Sequence, residues 1–257
     1  MNKLREYSLP VIFLIGFFLL WHFAVKIFSI SKFTLPAPLS VLESMHKNSN
    51  ELFTSGWNSF LIALAGFVLS LIFGIFLGLI MSQSKIIERS FYPYAIFLQC
   101  VPIVAMAPVI ILWFGYGTPS MIMISFIISL FPIITSTVNG LTSVNKDYLD
   151  LMKLYHATKP QILFKIRFPT AIPYIITGAR VSAGLSVVGA IIGEYFAGLA
   201  GTSRGLAYLI RNTEQNADFP YLFATIIAAA ILGLIIFSAT GLISNYIIKK
   251  GHFQERQ

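Results

Sequence analysis

Six long apolar segments divide this chain and limit its fold more than any other feature. They run over residues 9–29, 57–82, 91–114, 120–141, 172–197 and 220–248. A helix of about 20 apolar residues crosses the hydrocarbon core of a bilayer, and each segment reaches that length. Only 11% of the 257 residues are charged, whereas a soluble domain carries about 25%. The sequence therefore predicts an all-α integral membrane protein with six transmembrane helices in one domain, residues 1–257.

The basic residues fall mainly on one side of the predicted membrane. Six spans place both termini on the same side, together with the second and fourth connections. These four stretches carry twelve Lys and Arg residues, against four in the remaining connections. Because Lys and Arg concentrate on the cytoplasmic side, both termini are predicted to be cytoplasmic. The same excess accounts for the net charge of +8 without a nucleic-acid partner. The first segment favours a retained span over a cleaved signal peptide, since no small-residue cleavage site follows it.

Residues 147–173, in the fourth connection, form a basic and amphipathic block. Four side chains recur at the spacing of one helix face: Tyr148, Leu151, Met152 and Tyr155. That spacing predicts a short helix. Thr158 is placed to cap a second helix, with Pro160 in its first turn. Pro169 and Pro173 are expected to end the block and redirect the chain into the fifth span.

Two partners fit such a block. A soluble protein with a groove binds amphipathic helices through anchors at i, i+3, i+4 and i+7. Anionic membrane lipid also attracts a basic, amphipathic loop. The residues alone leave these alternatives open.

The block resembles the cytoplasmic coupling loop of permease subunits of binding-protein-dependent ABC importers. That loop carries Glu-Ala-Ala, three residues, Gly, nine residues and Ile-x-Leu-Pro. In this chain the loop is expected over about residues 142–171, and its spacing selects these positions: Asp150, Leu151, Met152, His156, Ala157, Ile166 and Pro169. Asp150, Ile166 and Pro169 match the pattern in kind. His156 stands where the family has Gly, which is the residue that adopts a left-handed backbone most easily.

Other stretches resemble the nitrate, sulfonate and taurine branch of the same family. They are Leu35-Pro36-Ala37-Pro38, the Pro102–Pro108 region with Trp113-Phe114-Gly115, the residues from Pro169 to Arg180, and Gly205-Leu206-Ala207-Tyr208. The stretch from Ala200 to Tyr208 and the final Gly251-His252 are similar to permeases for riboflavin or thiamine-pyrimidine uptake. The resemblance covers nearly the whole chain, and it leaves the solute open between sulfonate-like or nitrate-like anions and a vitamin precursor.

The resemblance implies a type I ABC importer permease fold with cytoplasmic coupling helices in a bacterial inner membrane. It implies a homodimer that binds an ATPase subunit dimer, a periplasmic or lipid-anchored binding protein, and membrane lipid. This chain contains no G-x-x-x-x-G-K-[ST] phosphate loop, so ATP and Mg²⁺ are expected to act in the ATPase subunit. No enzyme activity, cofactor or metal is expected in this chain. The alternatives are a passive channel or secondary carrier with a lipid-binding loop, and a membrane scaffold.

Polar residues inside the apolar segments are candidates for the translocation pathway. They are Gln99, Asn139, Ser182 and Ser186, with Met106 beside them, and each is equally suited to structural packing. Arg180 and Glu194 lie about 21 Å apart along the fifth segment, so they are not expected to pair within one protomer. Arg180 fits snorkelling toward the interface, and Glu194 fits ordering of the outer loop.

Overall fold

The protein is built from helices throughout the residues that the structure describes. The computed structural model describes residues 3–198 and 204–250, so Ala200–Ser203 and Gly251-His252 of the sequence comparison lie outside it. The helices are α1 (Lys3–Ile27), α2 (Pro38–Lys47), α3 (Ser49–Met81), α4 (Lys85–Cys100), α5 (Ile103–Phe114), α6 (Thr118–Thr142), α7 (Lys146–Leu154), α8 (Lys159–Ile162), α9 (Phe168–Ala197), α10 (Leu206–Gln215) and α11 (Phe219–Lys250).

Four helical stretches within the described residues are long and apolar enough to cross a membrane. They are Ser49–Met81, Thr118–Thr142, Lys159–Ala197 and Phe219–Ser244, and two shorter apolar stretches cover Ile12–Ile27 and Ile103–Phe114. Each of these stretches overlaps one of the six apolar segments of the sequence. The all-helical membrane prediction is therefore confirmed.

Helix α6 lies at the centre, held between α3 and α9 by close backbone contacts at glycines. A Cβ atom on Gly74 of α3 would lie 2.7 Å from Cγ2 of Ile133. On the other side, a Cβ on Gly189 of α9 would lie 2.6 Å from the Cα of Ser125. Such distances are too short for any larger residue, so glycine is what lets the three helices approach each other. The GxxxG patterns Gly74–Gly78 in α3 and Gly189–Gly193 in α9 thus face α6 of the same chain.

Buried hydroxyl groups add hydrogen bonds to this packing. The Oγ of Ser182 donates to the carbonyl oxygen of Ser129 at 2.6 Å, and the Oγ of Ser125 donates to that of Ser186 at 2.8 Å. All four serines have an exposed fraction of 0%. A buried hydroxyl needs a partner in an apolar interior. These bonds supply it for Ser182 and Ser125, whereas the Ser129 and Ser186 hydroxyls donate to carbonyl oxygens of their own helices. Helices α3, α6 and α9 therefore form one tightly packed unit.

The third apolar segment, 91–114, is two helices and not one continuous span. Helix α4 ends at Cys100 and α5 begins at Ile103, and Pro102 between them has an extended backbone with φ −63° and ψ 107°. Proline lacks the N–H that would continue the helix, and its ring crowds the preceding turn. Pro93 and Pro108 stay inside α4 and α5. Each of the three prolines in this segment can kink a helix, and the chain breaks at Val101-Pro102.

The remaining helices lie around this unit. Val41, Leu42 and Met45 recur at helical spacing, which predicts a short interfacial helix. Helix α2 forms there, with Val41 buried and Leu39 and Leu42 exposed. Helix α1 exposes large apolar side chains along most of its described length. The Trp21 ring contacts Phe223 of α11 at a centroid distance of 6.3 Å. An exposed apolar surface of this kind suits a lipid environment.

Candidate functional site

Helix α7 ends in a tight left-handed turn at His156. Its φ of +50° is the backbone conformation that the Gly of resembling permeases would adopt easily. The His156 N–H donates to the Lys153 carbonyl at 2.9 Å, and the Ala157 N–H donates to the Met152 carbonyl at 2.9 Å. This pair of hydrogen bonds is the Schellman motif, which closes a helix C-terminus. The joint between the two short helices is therefore formed by His156.

Helix α8 begins at a cap made by Thr158 and Gln161. The Thr158 N–H donates to Oε1 of Gln161 at 2.8 Å, and Pro160 lies in the first turn, as predicted. At the start of α7, Oδ1 of Asn145 accepts the Asp147 N–H at 3.0 Å. Side chains thus satisfy a backbone group at the start of each short helix.

The expected exit at the prolines is wrong, because α8 continues into α9 without a break. Residues Leu163–Arg167 form a π-helical turn, in which the Phe168 N–H donates to the Leu163 carbonyl. Pro169 and Pro173 then lie in the first turns of α9. A π turn widens the helix, and Pro169 has no N–H to place there, so the ring is accommodated without ending the helix. We call residues 146–167 the helix–turn segment.

The helix–turn segment is anchored at one end and exposed at the other. Leu163 and Phe168 pack against the buried cluster around Leu141 and Ala171. The side chain of Arg167 donates to the carbonyl oxygen of Ser82, at the end of α3, at 3.4 Å. The segment is therefore held to the ends of α3, α6 and α9.

Large apolar side chains at the turn have no cover within the described residues. Tyr155 is 78% exposed, Leu154 is 77% exposed and Phe164 is 65% exposed. Beside them, Nζ of Lys153 lies 2.7 Å from Oδ1 of Asp150 in an exposed ion pair. The motif positions Met152, Ala157 and Ile166 are half-buried, and Leu151 is exposed. Exposed apolar side chains near charged ones on the same segment are typical of a protein-binding surface.

Two of these exposed residues escaped the motif comparison. Leu154 and Phe164 stand at positions where the family pattern specifies no residue type. Leu154 follows Leu151 at the i+3 spacing of one helix face, and this periodicity is the signal that would have selected it.

A second site is the cleft beside the break between α4 and α5. It has a volume of about 280 Å³. One side is bordered by Gln99, Val101 and Ile103. The other side is bordered by residues of α6 and α9, including Pro132, Leu185, Val188 and Ile192. Gln99 is the polar side chain among the described lining residues, which carry no charge. A pathway built from such residues favours uncharged solutes.

The five pathway candidates do not come together. Gln99 borders the cleft. Met106 is half-buried and packs with Ala107 and Ile110 of α5, and Asn139 is exposed near the end of α6. Ser182 and Ser186 lie inside the contact between α6 and α9, as described above. The Ser182 hydroxyl donates to α6, and the Ser186 hydroxyl donates to the Ala183 carbonyl of its own helix. The face of α9 that borders the cleft carries Leu185, Val188 and Ile192.

Glu194 and Ser59 hold the N-terminus of α10. Oε2 of Glu194 accepts the Ala207 N–H at 3.1 Å, and Oγ of Ser59 accepts the Leu206 N–H at 2.9 Å. The Ser59 hydroxyl also lies beside the Glu194 carboxylate. A negative charge next to free N–H groups at a helix start is stabilising. A Cβ on Gly205 would run into this carboxylate, so glycine is required where the chain passes it.

Arg180, at the other end of α9, reaches toward α11. Its guanidinium donates to the carbonyl oxygen of Gly241 at 3.1 Å. The two charged residues of α9 therefore contact different elements, as their separation predicts. Among the described residues, no group of three or more His, Cys, Asp or Glu side chains could hold a metal ion.

Comparison with known families identifies the chain's relatives. Residues 70–250 match the family described as binding-protein-dependent transport system inner membrane component. The formylaminopyrimidine transport permease ThiX of Halalkalibacterium halodurans is 30% identical, over 93% of this chain and 94% of that protein. The riboflavin transport system permease RibX of Chloroflexus aurantiacus is 28% identical, over 89% of this chain and 85% of that protein.

A further relative and a solved structure extend the comparison. The putative aliphatic sulfonates transport permease SsuC of Bacillus subtilis is 28% identical, over 90% of this chain and 83% of that protein. An inward-facing structure of the MetNI methionine ABC transporter matches with a TM-score of 0.61 and 17% identity, over 76% of this chain and 95% of that chain. At that identity the match shows a shared fold.

Proposed function

We propose that this chain receives its driving force through the helix–turn segment. The chain belongs to the binding-protein-dependent transport system inner membrane components, and it is a permease subunit of an ABC transporter for a small solute. In this proposal an ATPase subunit seats the segment in a groove. A binding protein delivers the solute to the opposite face, and the permease works as a homodimer.

The observation that carries the proposal is the exposed apolar patch at a preformed turn. Leu154, Tyr155 and Phe164 project from helices whose ends are closed by their own hydrogen bonds. The segment is therefore ordered before a partner binds, and its anchoring on α3, α6 and α9 offers a rigid path for force into the central helices. A lipid-binding loop needs an amphipathic face but no such anchored joint.

The proposed topology has six crossings with both termini in the cytoplasm. Helices α1, α3, α6, α9 and α11 each cross once, and α4 with α5 forms an interrupted third crossing. The excess of basic residues supports this orientation, because it places Lys153, Lys159 and Lys165 of the helix–turn segment inside the cell. Asp150, His156, Ala157, Ile166 and Pro169 then belong to the ATPase contact or its framework.

The proposed pathway runs along the cleft beside Gln99. The break at Val101-Pro102 leaves backbone carbonyl groups without a helical partner there, and these groups and the Gln99 amide supply polar contacts. The uncharged lining supports a neutral solute over nitrate or a sulfonate. Among the relatives, ThiX and RibX are named for solutes of the heteroaromatic kind.

Transport in reconstituted vesicles tests the proposal. The permease is assembled with the ATPase subunit and binding protein of its transport system, and uptake of labelled formylaminopyrimidine, riboflavin and an aliphatic sulfonate is followed with and without internal ATP. We expect ATP-dependent uptake that Leu154→Ser lowers by about tenfold or more, as expected for loss of an interface anchor.

Leu39→Ser is the matched control, because Leu39 is a similarly exposed leucine on a short helix outside the helix–turn segment. It should transport like the unaltered protein. Uptake that proceeds equally without ATP would identify a passive carrier, and equal loss in both variants would remove the special role of the segment.

A further inference from the structure

A polar pocket lies at the end of α9 opposite the helix–turn segment. Its volume is about 280 Å³, and α9 contributes Glu194 and Tyr195 to its wall. Helix α10 contributes a stripe at i, i+3, i+4 and i+7: Tyr208, Arg211, Asn212 and Gln215. The opposite face of α10, with Leu206, Leu209 and Thr213, is buried in the protein. The helix therefore presents one polar face to this pocket.

Glu194 is the buried acceptor in the pocket wall. The residue is 2% exposed. One carboxylate oxygen accepts the Ala207 N–H at 3.1 Å, and the Ser59 hydroxyl lies beside the carboxylate. The other oxygen, Oε1, accepts no hydrogen bond of normal geometry within the described part of the chain. A buried carboxylate oxygen without a donor is costly. A ligand with an N–H group that reaches Oε1 would satisfy it.

We infer that this pocket binds the transported solute before it enters the membrane, and that the solute is a planar heteroaromatic ring with both N–H donors and ring acceptors. The Glu194 carboxylate accepts from such a ring. The Arg211 guanidinium and the amides of Asn212 and Gln215 supply donors. Tyr195 offers an aromatic surface on which a ring can stack, whereas the Arg204 guanidinium lies over the Tyr208 ring, 6.0 Å from its centroid. This assignment rests on the proposed transport function, because it names the solute of that same pathway.

The size and charge of the pocket narrow the solute further. Its volume of about 280 Å³ lies near the lower end of the range for small-molecule sites, roughly 300–1,000 Å³, which suits a single substituted ring. Glu194 and Arg211 bring opposite charges to the lining, so the wall does not select strongly for an anion or a cation. A neutral ring with donors and acceptors on its edge uses both groups.

Binding of simple ring compounds to the full permease in nanodiscs tests the assignment. Saturation-transfer NMR is recorded with 4-aminopyrimidine as the probe and with benzenesulfonate as a planar anion. We expect 4-aminopyrimidine to bind, and Asn212→Leu and Gln215→Leu each to weaken binding by about fivefold, the typical effect of one lost hydrogen bond. Glu214→Leu is the control, because Glu214 neighbours Gln215 on α10 but is outside the pocket wall.

Three results would overturn the assignment. They are no binding of 4-aminopyrimidine to the unaltered permease, equal binding by the Gln215→Leu and Glu214→Leu variants, or tighter binding of benzenesulfonate. The measurement requires neither ATP nor the ATPase subunit. A failure of ATP-driven uptake would therefore count against the proposed coupling and leave the binding result to stand by itself.

Discussion

Substitution of His156 offers the sharpest test of how the helix–turn segment is built. His156 has φ +50°, and a left-handed backbone costs an L-residue about 1–2 kcal/mol. Glycine removes that cost. It also has more conformational freedom than histidine when the turn opens, which destabilises the closed turn by about 0.4–1 kcal/mol. We therefore expect His156→Gly to leave the turn unchanged or to stabilise it by up to about 1.6 kcal/mol.

Valine should have the opposite effect at this position. Its branched Cβ makes a positive φ a strong outlier, and we assign it about 1.4 kcal/mol beyond the cost of histidine, within the range for strained backbone. That amount is a tenfold change in an equilibrium. Amide hydrogen exchange at His156 and Ala157, whose N–H groups bond to Lys153 and Met152, should become about ten times faster in His156→Val.

The end of α10 supplies a matched control. Ala217 has φ +54°, and its N–H and that of Asp218 donate to Glu214 and Thr213 in the same motif. Ala217→Val should accelerate exchange at that turn and leave residues 150–162 unchanged. ATP-dependent uptake should fall with His156→Val and persist with Ala217→Val. Exchange in His156→Val as slow as in the unaltered protein would refute the reasoning about the turn.

Three further predictions concern packing and the pathway. Gly189→Ala places a Cβ 2.6 Å from the backbone of α6 and should lower the free energy of unfolding by about 1–3 kcal/mol. Gly184→Ala is the control, because a Cβ there has nothing within 4 Å, and it should not lower that free energy. Thermal melting in detergent compares the two variants. Gly205→Ala drives a Cβ into a buried carboxylate and should destabilise by about 3 kcal/mol, while Gly56→Ala, in open space, serves as its control in the same melting assay. Gln99→Leu should slow uptake without changing melting, and unchanged uptake would place the pathway elsewhere.

The sequence predicts the helical membrane architecture because length and apolar composition alone decide whether a helix can span a bilayer. The interfacial α2 also follows from Val41, Leu42 and Met45 at helical spacing. The break at Val101-Pro102 does not follow in the same way. Three prolines lie in that segment, and two of them, Pro93 and Pro108, remain inside helices, so the position of the break depends on packing.

The candidate sites, too, could be predicted only in part from the sequence. Motif spacing marks His156 as the joint, yet only the backbone shows that histidine takes the left-handed conformation there. Ser182 and Ser186 are polar residues in an apolar segment, which fits either a pathway or a helix contact. In the structure both serines lie in the contact between α9 and α6, and their part in a pathway stays a prediction. The stripe on α10 was missed because its i, i+3, i+4, i+7 pattern is polar, and a search for apolar faces passes over it.

Cross-linking to the ATPase subunit tests the central claim most directly. Cys100 is the single cysteine of the chain, so Cys100→Ser gives a background into which Tyr155→Cys or Asn216→Cys is introduced. Both positions are exposed, and they lie near opposite ends of α9. If the helix–turn segment seats in the ATPase, a short thiol cross-linker should join Tyr155→Cys to that subunit and leave Asn216→Cys unlinked. A co-purified complex with no cross-link from Tyr155→Cys, or with one from Asn216→Cys, would contradict the account.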